Sequence, residues 1–98
     1  LLRVVKQADV LVENFRGGTM DKLGLGYEVL KAHNPGLIYC AITGYGRSGP
    51  YADKGGFDLI AQGFAGLMSV TGEPGRPPVK GGSAVSDMNA GILAALGI

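Results

Sequence analysis

Two short apolar runs rich in β-branched residues set the terms on which this chain can fold. Val10-Leu11-Val12 leads into Glu13-Asn14-Phe15, and Leu37-Ile-Tyr-Cys-Ala-Ile-Thr43 is bounded by turn residues on both sides. Such runs predict buried strands. Between them, Arg16-Gly17-Gly18 breaks the chain. Thr19 can cap a short helix Met20–Leu23, which Gly24 and Gly26 interrupt, and Tyr27–His33 reads as a second helix closed by Asn34-Pro35-Gly36. A helical connection between two strands argues for a parallel pair with a right-handed crossover, and hence for an α/β fold. A parallel sheet needs both faces covered and more than two strands. The expectation is therefore that residues 1–98 are an internal fragment of a larger domain whose other strands lie outside them.

The remaining segments fit that layer. Leu1–Gln7 reads as the tail of a helix. Residues 44–56 form a loop with five glycines and Pro50. Phe57–Val70 carries apolar residues at 57, 60, 61, 64, 67 and 68, a helical spacing, with Asp58 in the first turn, where the helix dipole favours a negative charge. Residues 71–82 are loop, and Ser86 or Asp87 starts a last helix.

Several function classes fall away. A net charge of +1 over 98 residues offers no case for nucleic acid or an anionic membrane surface. The apolar runs are far shorter than the ~20 residues of a membrane span. Cys40, the single cysteine, cannot form an internal disulfide, so nothing suggests an oxidising compartment and a cytoplasmic location is expected. Cys40 itself, in mid-strand, reads as buried and inert. His33 stands without a second histidine or a cysteine cluster, which argues against a metal site. Gly44-Tyr-Gly-Arg-Ser-Gly49 matches the G-x-G-x-x-G pattern after a strand, but loop residues follow where a dinucleotide site needs a helix.

Asp87 carries the sharpest choice. It sits in Gly-Gly-Ser-Ala-Val-Ser-Asp-Met-Asn-Ala-Gly ahead of the apolar run Ile92–Leu96. An aspartate there can simply cap a helix. It can also be an anionic nucleophile, with neighbouring glycines leaving room for an acyl group and backbone donors. Arg16, Lys22, Lys54, Arg76 and Lys80 lie in or beside glycine-rich loops, where cations suit phosphate, although on composition alone solvated surface charge is the favoured reading.

Taken together, three segments resemble a known family. They are Ala8–Leu25 (Ala-Asp-Val-Leu-Val-Glu-Asn-Phe-Arg-Gly-Gly-Thr-Met-Asp-Lys-Leu-Gly-Leu), Asn34–Tyr51 and Gly55–Pro74. In this order and spacing they resemble the class III CoA-transferases, the formyl-CoA transferase and carnitine CoA-transferase family. The resemblance implies a Rossmann-like large domain and a homodimer whose chains interlock like links. It also implies roles: Asp87 as nucleophile, with Asn14, Phe15, Arg16, Lys22, Lys54, Gly55, Gly56 and Phe57 about the CoA, and Asp58 as a candidate active-site acid of chemical or structural role. The partners it implies are an acyl-CoA and a carboxylic acid. CoA enters as a substrate thioester, and no metal or permanently bound cofactor is required. The sequence departs from the family at Gly17, where proline is common; this reads as a loosening of the CoA loop.

Two other readings stay open. The α-methylacyl-CoA racemases of the same superfamily carry His-Asp where this chain has Phe57-Asp58, and a racemase needs an acid/base on each face of its substrate. Phe57 cannot carry a proton. A CoA- or nucleotide-binding module without chemistry is the other, against which Asp87 argues.

Overall fold

The computed structural model describes all of residues 1–98. Its elements run α1 (Leu2–Val5), β1 (Val10–Glu13), α2 (Thr19–Lys22), α3 (Tyr27–His33), β2 (Ile38–Ala41), α4 (Asp58–Phe64), a 3-10 turn (Leu67–Val70) and α5 (Val85–Gly97). The strands pair in parallel, Val10 opposite Ile38 through Glu13 opposite Ala41. The α/β reading holds as a small parallel two-stranded sheet with its helical crossover.

The core is small and lies on one side. Val5, Met20, Leu30 and Leu37 are buried, with Leu11, Leu25 and Tyr39 packed against them. Asn34 ends α3 and ties it to α1, its side-chain amide donating to the carbonyls of Val5 (3.0 Å) and Ala8 (2.8 Å). This satisfies carbonyls that a helix end leaves without intrahelical partners.

Several local expectations change. Gly18, not Thr19, takes the N-cap of α2, with φ of 75° that favours glycine, and Thr19 becomes its first residue. The helix expected over Phe57–Val70 is interrupted: α4 ends at Phe64, Gly66 turns left-handed (φ 82°), and a 3-10 turn follows. The buried face of α4 is polar, made by Asp58 and Gln62, while Phe57, Ile60, Phe64 and Leu67 are exposed. Cys40 is half-buried, because two strands leave one sheet face open. Gly17 also changes meaning. A Cβ there would lie 2.8 Å from the Ala52 carbonyl oxygen, so this glycine permits a close approach between two loops.

After β2 the chain turns through residues 44–56 without helix, with Gly46 and Gly49 at positive φ. The context of a dinucleotide fingerprint is absent. No helix is long and apolar enough to cross a membrane.

Candidate active site

The carboxyl ends of parallel strands are where open α/β sheets place their ligands. Both strands here run out toward one region. Asn14 follows β1; Ile42, Thr43 and Gly44 follow β2. These residues, with Gly56, Phe57, Ala61, Ser86, Asp87, Ala90 and Gly91, line a cavity of about 460 Å³. A second cavity of about 160 Å³ is bounded by Asn14, Phe15, Arg16, Gly44, Lys54, Gly55, Gly56 and Phe57. The two share Asn14, Gly44, Gly56 and Phe57.

Local chemistry fixes these walls. Glu13 accepts the Phe15 N–H at 2.7 Å with one carboxylate oxygen and the Tyr39 hydroxyl at 3.3 Å with the other, which orders the turn at Asn14–Arg16. Burial pushes the Tyr39 phenol above its usual pKa, as do the charge and hydrogen bond of Glu13, so Tyr39 stays a donor. Thr43 Oγ1 accepts the Gly46 N–H at 2.8 Å and shapes the exit from β2. At the shared wall two backbones touch. A Cβ on Gly44 would lie 2.5 Å from Gly56 Cα, and a Cβ on Gly56 the same distance from Gly44 Cα. Arg16 packs against Gly55, where a Cβ would meet its Nε at 3.0 Å. The Lys54 ammonium lies 4.5 Å from the Tyr51 ring centroid. Tyr51 packs with Tyr45 and Phe64, centroids 5.4–5.7 Å apart. Tyr51, held by the other two rings, braces the Lys54 ammonium through a cation–π contact.

Asp87 is exposed in the first turn of α5. Ala90 and Gly91, three and four residues on, lie on its face of the helix, so small side chains leave space beside the carboxylate. The helix N-terminus supplies a favourable field for an anion. The helix begins at Val85, earlier than the sequence suggests.

Asp58 lines neither cavity. It is buried, and its carboxylate accepts the Ser86 N–H (2.8 Å) and the Gln62 side-chain amide (2.7 Å), with Lys80 Nζ at 3.4 Å. Burial alone would raise its carboxyl, but the hydrogen bonds from Ser86, Gln62 and Lys80 outweigh it and hold the group below the ordinary carboxylate range.

The sequence-derived residues thus sort cleanly. Asn14, Phe15, Arg16, Lys54, Gly55, Gly56, Phe57 and Asp87 converge on two adjoining cavities. Lys22 does not; it is exposed on α2 and lines neither. The structure adds Thr43, Gly44, Ser86, Ala90 and Gly91. Gly44 and Gly91 had a visible signal, glycines at a strand exit and one helical turn after an aspartate. Ser86 had none, since its part is played by a backbone N–H. Arg76 lies apart, in a cleft within the 68–78 loop.

Known proteins resemble this chain in sequence and in fold. An acyl-CoA transferase of Fusarium pseudograminearum is 54% identical over 93 residues, covering 95% of this chain and 20% of that protein. A succinate–glutarate CoA-transferase of Agrobacterium fabrum is 54% identical over 90 residues, covering 92% of this chain and 22% of that protein. The crystal structure of a CAIB/BAIF family protein from Brucella suis superposes with a TM-score of 0.81 at 47% identity, over 97% of this chain and 28% of that one. The chain therefore spans 20–28% of the length of these relatives. The family description "CoA-transferase family III" matches residues 1–98 without a gap at either end, and the chain belongs to that family.

Proposed function

We propose that these residues form the nucleophile-bearing part of an acyl-CoA:carboxylate CoA-transferase, with Asp87 as the covalent nucleophile. The observation that carries this reading is the exposed Asp87 carboxylate facing the larger cavity, next to the smaller one that gathers Asn14–Arg16 and Lys54–Phe57. In this reading the pantetheine arm and phosphates lie along the smaller cavity, near Arg16 and Lys54, and the thioester reaches Asp87. Lys22 would meet a more distant part of CoA.

The chemistry needs no proton and no metal. An Asp87 oxygen attacks the thioester carbonyl carbon, the C–S bond breaks, and a mixed anhydride and CoA thiolate result. The thiolate attacks the aspartyl carbonyl, the anhydride C–O bond breaks, and the first acid leaves as carboxylate. An incoming carboxylate attacks the aspartyl–CoA thioester, releasing thiolate and forming a second anhydride. The thiolate then takes the new acyl group and returns Asp87 to its carboxylate. Covalent catalysis divides one difficult exchange into four easier steps. In this reading, backbone N–H groups of the glycine-rich wall stabilise the oxyanions.

The name of the Agrobacterium relative makes short dicarboxylic acids the first acceptors to try. By the same resemblance, residues 1–98 belong to a Rossmann-like large domain in an interlocked homodimer, and the isolated segment is inactive. The test is CoA exchange by the complete protein between succinyl-CoA and a panel of carboxylates. Transfer that Asp87→Ala abolishes supports the reading, and exchange that survives the substitution rejects it.

A further inference from the structure

Helix α5 starts without a side-chain cap of its own, because Ala84 holds the N-cap position. The N–H of Ser86, one residue before Asp87, is instead bound by Asp58 Oδ1 of a different helix at 2.8 Å. The other oxygen, Oδ2, accepts from Gln62 Nε2 at 2.7 Å and faces Lys80 Nζ at 3.4 Å. Gln62 is fully buried and grips the loop that leads into α5. Its Oε1 accepts the Gly81 N–H at 2.9 Å, and its Nε2 also points to the Ser83 carbonyl at 3.3 Å. Lys80 Nζ donates to the Gly81 carbonyl at 2.9 Å. Beyond the pair on α4 itself, every partner in this network lies between residues 80 and 86.

We propose that Asp58 is a positioning residue that sets the place of the Asp87 carboxylate by clamping the first turn of α5, and that it exchanges no proton with substrate. The inference rests on the reading of Asp87 as nucleophile. Asp58 is only 6% exposed, both its oxygens are occupied, and it borders neither cavity. Its hydrogen bonds keep it ionised at neutral pH, so it has no proton to give. What it does hold is the backbone directly before Asp87. A nucleophile displaced by about 1 Å loses on the order of 100-fold in rate.

The test compares Asp58→Asn with the double variant Asp58→Asn/Gln62→Glu in the complete protein. In the double variant the new amide oxygen still accepts the Ser86 N–H. Its NH2 donates to the new carboxylate at 62, which also accepts the Gly81 N–H and gives Lys80 an anionic partner; the bond of Gln62 Nε2 to the Ser83 carbonyl, the longest of the network made by Gln62, is the one lost. In the single variant that NH2 faces the donors of Gln62 and Lys80. The clamp predicts that kcat falls about 10- to 100-fold in Asp58→Asn and returns to within about fivefold in the double variant, with KM for acyl-CoA moving less than about threefold. Wild-type turnover in the single variant, or a folded double variant as slow as the single, overturns the proposal. If Asp58→Asn does not fold, the double variant decides alone: it keeps the clamp and lacks the acid. Hydrogen exchange of residues 83–88 separates this proposal from the reading it rests on. If the wild type forms no Asp87 adduct, the nucleophile reading fails; exchange that is slow in wild type and fast in Asp58→Ala still supports the clamp, and equal exchange overturns it.

Discussion

Single residues carry the strongest constraints here, and several were legible from the sequence. Asp87 stood out as an aspartate among small residues before an apolar helix; helix capping explains such a residue as readily as chemistry does, and the family resemblance is what points to a nucleophile. The structure places it on a cavity wall, with Ala90 and Gly91 beside it. Gly44 was visible too, within a pattern that failed as a dinucleotide fingerprint. Its part is steric: Gly44 and Gly56 let two loops meet with no room for a Cβ on either. Gly56→Ala should therefore destabilise the fold by about 1–3 kcal/mol through overpacking. It should also raise KM for acyl-CoA, since both cavities share that wall. Thermal unfolding and steady-state kinetics on the same variant check this, and an unchanged Tm would contradict it. By the family resemblance, Phe57 stands where the racemases carry a histidine, which argues for transfer. With no protonatable group at this position, solvent deuterium should not enter the α-carbon of a 2-methylacyl-CoA, which mass spectrometry of the recovered thioester reads directly.

At the scale of elements, the strands and α3 follow from apolar runs and turn residues, so their order and parallel pairing could be read in advance. Helix α4 could not. Its apolar spacing predicts a helix through Val70 with Phe57, Ile60 and Phe64 inward. Instead Gly66 ends the regular helix, and the buried stripe is Asp58 and Gln62. Periodicity assumes that the buried face is apolar. It fails where a polar pair serves the backbone of another element, as it does for the uncapped start of α5. That arrangement has a consequence in acid. Asp58 has a lower pKa folded than unfolded, so the unfolded chain takes up its proton first. The stability it contributes is complete above the unfolded carboxyl value, about 3.9, and is lost as pH falls through the lower folded value. Melting temperature of the wild type should thus drop more steeply below about pH 4 than that of Asp58→Asn. Parallel curves over that range would show that the carboxylate does not carry the clamp.

At the scale of the molecule, the 98 residues are spread out. The radius of gyration is 16.8 Å over extents of 56 × 26 × 18 Å, against about 13 Å for a compact domain of this size. The exposed surface is 6975 Å², where a compact monomer of this mass has about 5,300 Å². Much of the surface is apolar: Met88, Ile92, Leu93 and Leu96 on α5 are exposed, and so are Phe57, Phe64 and Val70. The shortage of strands was legible in the sequence; the open face of α5 was not, because nothing within residues 1–98 tells which side of an apolar helix is covered. Patches of this size call for a cover. Together with the share of its relatives that the chain spans, this supports the proposal that the segment works within a larger domain. The isolated segment should accordingly bind a hydrophobic dye, unfold without a sharp transition and transfer no CoA. A cooperative melt with measurable turnover would refute that proposal. Intact mass spectrometry of the complete protein after mixing with succinyl-CoA, with hydroxylamine trapping, tests Asp87 as the nucleophile. A covalent adduct should map to Asp87 and vanish in Asp87→Ala, with kcat down by about 10⁴-fold or more. CoA transfer at the wild-type rate with no adduct at Asp87 would contradict it.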